Sequence, residues 1–151
     1  MNADREAALQ ALLDKAAIRE VTMRYCLGVD RRDYEMVRSC FAPDAYFAHP
    51  GVIEGRGHQR ILGMIKGIEK YHVTMHTAGT QLIEIHDDTA KAETYVVAYH
   101  RGVKDGQERE MVMGIRYVDE LERRDGRWAF TTRLLIPVWR RGQSLLHPEL
   151  R

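Results

Sequence analysis

The chain has 151 residues, 44% of them hydrophobic and 30% charged, with a formal net charge of +1. That size and composition suit one globular domain over residues 1–151 with a single core, and exclude a disordered or fibrous chain. Near-neutral charge argues against nucleic acid as a partner. No apolar run reaches bilayer length, and the charged start MNADREAALQ lacks the form of a secretory leader, so the reading is a cytoplasmic protein with no membrane partner.

From about Asp4 to Asp30, apolar residues recur at helical spacing, with Leu9, Leu12, Leu13, Ala16, Ala17, Val21, Tyr25 and Val29 forming one stripe. This predicts one long amphipathic helix. Asp33 caps a second, shorter helix whose apolar face continues through Val37 and Phe41 and stops at Pro43-Asp44. Ala45 to Ala48 reads as a short strand, Gly51 to Gly57 as turn-rich, and His58 to about Lys70 as a third helix on Ile61, Leu62, Ile65 and Ile68. The only cysteines, Cys26 and Cys40, match neither a zinc knuckle nor a CxxC motif. Each is expected as a reduced thiol on a buried helix face, with a disulfide between them left open.

The second half changes character. Turn signals at Asp87-Asp88, Asp105-Gly106 and Asp125-Gly126 separate four runs rich in Val, Ile, Thr, Tyr and Trp, roughly Thr77 to His86, Thr89 to Arg101, Glu108 to Glu122 and Arg127 to Val138. Strands this long bend, so the expected fold is α+β: a cone in which N-terminal helices pack on a strongly curved antiparallel sheet that encloses a pocket. Alternation puts Ala92, Thr94, Val96, Ala98 and His100 on one face of the second run. It puts Arg133 with Ala129, Thr131 and Leu135, opposite Trp128 and Phe130. Tyr95, Val97 and Tyr99 fall on the outer face, an apolar patch that predicts a homo-oligomer.

The segments Ala17-Ile18-Arg19-Glu20-Val21, Arg24-Tyr25, Gly28-Val29-Asp30, Asp33 and Phe41-Ala42-Pro43-Asp44-Ala45 resemble the polyketide-cyclase (SnoaL-like) branch of the nuclear-transport-factor-2-like superfamily. His76 opening the run to Ile85, Ala90, Tyr117-Val118-Asp119 and Arg124-Asp125-Gly126-Arg127-Trp128 are similar to the same family's sheet. The pattern is closest to the dehydratases and dehydrochlorinases, including scytalone dehydratase, bile-acid dehydratase and hexachlorocyclohexane dehydrochlorinase. The resemblance implies catalysis without metal or organic cofactor by a His–Asp pair that falls on His76 and Asp30. It also implies a helix tyrosine at Tyr25, a pocket arginine at Arg133, and a trimer, with a dimer as the other possibility. Where the family often has Asn shortly after the His, this chain has Thr80.

The chemistry of these residues fits that expectation. A histidine titrates near neutrality and can remove and return a proton, and a carboxylate on one ring nitrogen fixes the tautomer that leaves the other free. A tyrosine hydroxyl can polarise a departing oxygen and an arginine can hold an oxyanion. The expected site is therefore catalytic His76, Asp30 and Tyr25, with Arg133, His100, Val96 and Ala98 contacting a small apolar, aromatic or alicyclic substrate. Tyr25 and Asp30 are about 140° apart on a regular helix, so sharing a face needs the helix to end or bend near Gly28. His72 and His76 have metal-ligand spacing but lack a third ligand, and no metal site is assigned. Two other functions compete with the lyase reading: an isomerase or cyclase using the same base, and a binding or assembly module. Seven methionines, among them Met64, Met75, Met111 and Met113, suit either a plastic pocket or a subunit interface.

Overall fold

The computed structural model describes residues 2–145; the tail beyond Leu145 lies outside the described residues. Asn2 caps α1 (Ala3–Arg31) by accepting a hydrogen bond from the Arg5 amide. The expected stripe divides along this helix. Of the eight expected positions only Tyr25 and Val29 are buried and Val21 half-buried, whereas Leu9, Leu12, Leu13, Ala16 and Ala17 remain exposed, Leu12 by 66%. Ile18 and Cys26, outside the expected stripe, complete the buried face. The first turns thus stand clear of the sheet, and the helix is anchored where Asp14 accepts from Gln10 Nε2 (3.2 Å), Arg123 Nη1 (2.7 Å) and Trp128 Nε1 (3.0 Å).

Asp33 caps α2 (Tyr34–Ser39) through the Met36 amide at 3.0 Å. Phe41, expected on this helix, instead begins β1 (Phe41–His49), which is longer than the predicted strand. Pro43 is tolerated there because the pairing of β1 with the last strand is irregular between Phe41 and Tyr46, where no ladder donor is needed. A short β2 (Ile53–Arg56) leads to α3 (His58–Ile65), which tightens into a 3₁₀ turn over Lys66–Lys70.

The four long strands are β3 (Val73–His86), β4 (Thr89–Lys104), β5 (Gln107–Arg124) and β6 (Arg127–Gly142). β3 begins four residues before the expected Thr77, so His76 lies within the strand rather than at its opening. Asp105-Gly106 and Asp125-Gly126 both take the left-handed conformation, φ 53° and 73° at the first pair and 52° and 74° at the second, which suits the twist of a tight hairpin. The sheet order is β2-β1-β6-β5-β4-β3. It is curved and unclosed, with helices on its inner face, as the α+β cone predicts. It departs from the all-antiparallel expectation in one place, since β1 runs parallel to β6.

Bulges decide which side chains face inward. In β3, the pairing with β4 jumps between Ala78 and Gln81, so the inward set Thr74, His76 and Ala78 gives way to Gln81, Ile83 and Ile85. In β6, Leu121 pairs with Phe130 but Glu120 with Thr132, leaving Thr131 as the extra residue. That shift moves Arg133 to the same face as Trp128 and Phe130, correcting strict alternation. β4 alternates without interruption: Val96, Ala98 and His100 are buried and Tyr95 and Tyr99 are exposed.

Candidate active site

The last turn of α1 carries Asp30 to the beginning of β3. Its Oδ1 lies 2.7 Å from His76 Nδ1, and its Oδ2 accepts the His76 backbone N–H at 2.8 Å. Burial pushes the Asp30 carboxyl up, but the two His76 hydrogen bonds and the attraction of the ring outweigh it and hold the group below the usual carboxylate range. An ionised carboxylate only accepts, so the hydrogen of this bond sits on Nδ1. In the neutral ring this leaves Nε2 as the nitrogen with the lone pair, and the ring lines a cavity.

Tyr25 lines the same cavity without any break in the helix, which continues through Gly28 to Arg31. The roughly 140° between Tyr25 and Asp30 is used rather than removed. Asp30 faces β3, while Tyr25 points at the middle of the sheet, edge-on to Phe41 (5.8 Å), Tyr117 (5.7 Å) and Phe130 (6.3 Å). Burial pushes the Tyr25 hydroxyl up to about 12 against the opposing pull of Arg133. It is thus a neutral hydrogen-bond donor throughout the physiological range.

Three of the expected contact residues lie away from the cavity wall. Val96 and Ala98 are packed into the core. Arg133 is fully buried, donating from Nε and Nη2 to the two Asp119 oxygens at 2.8 Å each. Its guanidinium carbon sits 3.8 Å from the Phe130 ring centre, 4.1 Å from that of Tyr117 and 4.3 Å from that of Tyr25. Burial opposes its charge, but Asp119 holds the guanidinium above its ordinary value. Nη1 has no oxygen partner, and the aromatic faces around the group supply weak acceptors instead. Thr80, the departure from the family pattern, is exposed in the β3 bulge. Cys26 and Cys40 are both free and buried, Cys40 as the cap of α2 rather than on a helix face.

His100 does reach the cavity, with its ring centre 5.9 Å from that of His76. Its Nδ1 donates to the Met111 carbonyl at 3.2 Å, so Nε2 is an acceptor. Burial, then the neighbouring His76, push its pKa down to about 4. Between that value and the unfolded value near 6.5, the unfolded chain binds the extra proton, so stability rises with pH there. This contribution is complete above about pH 6.5 and is lost as the pH falls through 4, a change on the order of 3 kcal/mol. Urea unfolding should therefore show a smaller fall in stability from pH 7.5 to 4.5 for His100→Asn than for the parent protein. Equal falls would refute the assignment.

The cavity has a volume of about 130 Å³. Met64, Ile65 and Ile68 form one wall, Met111, Met113, Ile115 and Tyr117 of β5 another, and His76, His100 and Tyr25 supply polar groups. Met75, by contrast, faces solvent. Ser144 also lines the cavity, and the Tyr71 hydroxyl holds this segment by accepting the Leu145 amide at 2.8 Å and meeting Ser144 Oγ at 3.4 Å. Gly102 makes room for it, since a Cβ there would stand 2.5 Å from Leu145 Cδ1. His72, the residue with metal-like spacing to His76, instead meets Glu108 at 3.8 Å.

The sequence profile of the SnoaL-like domain family matches residues 10–134. No curated protein matches the chain in sequence. Among solved structures, it is similar to a scytalone dehydratase-like protein from Novosphingobium aromaticivorans DSM 12444, with TM-score 0.82 and 20% identity over 89% of this chain and 91% of that one. It is also similar to the type 3 hexachlorocyclohexane dehydrochlorinase of Novosphingobium barchaimii LL02, with TM-score 0.81 and 22% identity over 93% and 97%. A third structure, named for aromatic ring hydroxylation and also from Novosphingobium aromaticivorans, gives TM-score 0.80 and 25% identity over 87% and 94%.

Sequence reasoning gave no part to Thr74 and no partner to Asp119, and it took Arg32 only as a charge beside Asp30 at the helix end. Asp119 stood inside a segment similar to the family's sheet, and its partner became visible only through the β6 bulge. Arg32 offered a weaker signal: a charged side chain directly after a helix whose last turn already held a carboxylate.

Proposed function

The chain belongs to the SnoaL-like domain family, and from that membership we propose that it is a cofactor-independent lyase that removes water from a small hydroxylated ring. The observation carrying this reading is the Asp30-bound imidazole, at 2.7 Å, beside an apolar cavity. About 130 Å³ is close to the space known to accommodate one benzene-sized ring, which favours a monocyclic substrate.

His76 Nε2 takes a proton from a carbon made acidic by an adjacent carbonyl, since a base of imidazole strength does not deprotonate an unactivated carbon. The electron pair of that C–H bond becomes the new double bond, and the C–O bond to the hydroxyl breaks. A phenol raised to about 12 is a poor proton source, so Tyr25 polarises the departing oxygen by hydrogen bonding while the His76 imidazolium returns the proton that completes water. His100 Nε2, which stays an acceptor, receives a substrate O–H and so favours hydroxylated over purely halogenated rings. Arg133 acts through the ring of Tyr25 rather than on the substrate.

Incubation with a panel of cyclic β-hydroxy ketones in D₂O tests this reading. Loss of one water, read by mass, is expected for at least one member. Deuterium uptake without water loss would replace the lyase by an isomerase, and neither change across the panel would leave the binding-module reading.

A further inference from the structure

The end of α1 takes a form that normally calls for glycine. The Asp33 amide reaches back to the Gly28 carbonyl at 2.9 Å and the Arg32 amide to Val29 at 3.2 Å, the arrangement in which the residue after the helix turns left-handed. That residue is Arg32, at φ 58° and ψ 28°. A side chain at such a position costs about 1–2 kcal/mol that glycine avoids. What occupies it is a guanidinium with four acceptors from two elements. Nη1 shares its hydrogens among Val29 O (3.1 Å), Asp30 O (3.2 Å) and Thr74 Oγ1 (2.6 Å), and Nη2 donates to Tyr71 O at 2.9 Å.

The first two acceptors belong to the last turn of α1 and the other two to the segment leading into β3. These are the stretches that carry Asp30 and His76, 46 positions apart in sequence. Thr74 is buried, its oxygen accepts from Arg32, and its hydroxyl is among the groups that hold the Asp30 carboxyl low. Asp30 also stands at the negative end of the helix, an unfavourable place for a carboxylate, and the Arg32 cation on the same carbonyls offsets that penalty.

We propose that Arg32 and Thr74 are positioning residues for the Asp30–His76 pair: Arg32 clamps the end of α1 to the start of β3 and aims the Thr74 hydroxyl at Asp30. The importance of this clamp rests on the proposed catalytic pair, but its test reads the pair itself and needs no substrate. Nitrogen NMR of the His76 ring and carbon NMR of the Asp30 carboxyl are followed against pH in the parent, Thr74→Val, Thr74→Ser and Arg32→Lys proteins. The parent should show one His76 tautomer with hydrogen on Nδ1. In Thr74→Val the Asp30 midpoint should move upward and the sharp Nδ1–H signal should be lost; Thr74→Ser should restore both, and Arg32→Lys, which keeps the charge but not the fork, should shift in the same direction as Thr74→Val.

The other titratable groups facing Asp30 are Cys26, pushed up to about 11 by burial, and His100, pushed down to about 4, whose own ring signals are read separately. An unchanged Asp30 midpoint and His76 tautomer in both Thr74→Val and Arg32→Lys would overturn the proposal. If Thr74→Val fails to fold, Arg32→Lys alone decides. A parent protein with the Nδ1–H tautomer but no reaction on any ring ketone would sink the lyase reading and leave this one standing.

Discussion

Replacing His76 by Ala, or Asp30 by Asn, is expected to lower kcat for the dehydrated ring substrate by roughly 10²–10⁴-fold with little change in KM. The two substitutions act differently. His76→Ala removes the only lone pair in the cavity that Asp30 supports, while Asp30→Asn keeps the shape but offers an amide that can donate to Nδ1 and turn the imidazole to the wrong tautomer. Single-turnover kinetics separate this loss from a loss of binding. Unchanged turnover in His76→Ala would refute the base assignment outright.

The same pair has a pH signature in stability. The Asp30 carboxyl is held below its ordinary value, so its contribution is present above the unfolded carboxylate range near pH 4 and disappears as the pH falls through the lowered folded value. That loss lies on the acid side of the His100 window, which begins near pH 6.5 and ends near 4. Urea unfolding followed against pH should therefore show stability falling in both windows, with the fall below about pH 4 smaller in Asp30→Asn than in the parent protein.

Breaking the Arg133–Asp119 pair should have the largest effect on stability. Arg133→Met leaves the Asp119 carboxylate buried without a partner, which costs about 3–5 kcal/mol. For a domain of this length that corresponds to a fall in Tm of roughly 10 °C. The double variant Arg133→Met, Asp119→Leu should recover most of the loss, because an apolar pair removes the desolvated charges together. Arg133→Lys should not recover it, since a lysine cannot make two parallel bonds to the carboxylate while lying across three rings. Thermal melts of the four proteins decide the matter. If Arg133→Met melted with the parent protein but lost turnover, Arg133 would be a substrate ligand after all.

The position of Arg133 shows how far strand alternation can be trusted. Along β4, which has no irregularity, counting by twos places every buried and exposed residue correctly. Along β6 the count fails at Thr131, because one unpaired residue exchanges the faces of everything that follows. Nothing in the local sequence Phe130-Thr131-Thr132-Arg133 distinguishes the bulged residue from its neighbour. The same limit explains why Val96 and Ala98 were expected on the cavity wall: parity says which face a residue takes, but not whether the helices already cover it.

By itself, the sequence determined the helices-then-meander order, the hairpin turns, the inward row of β4 and, through resemblance, the pairing of Asp30 with His76. The first three follow from periodicity and from turn residues, which are properties of neighbours along the chain; the last came from the resemblance alone. Tertiary structure decided the rest: the parallel seating of β1 against β6, the burial of Arg133 against Asp119, and the clamp of Arg32 on Thr74. Each depends on where two distant segments meet, and that is set by bulges and by the left-handed end of α1. Tyr25 and Asp30 show the difference most plainly, since the angle that separates them on an isolated helix lets the same helix, once inside the curved sheet, serve two walls.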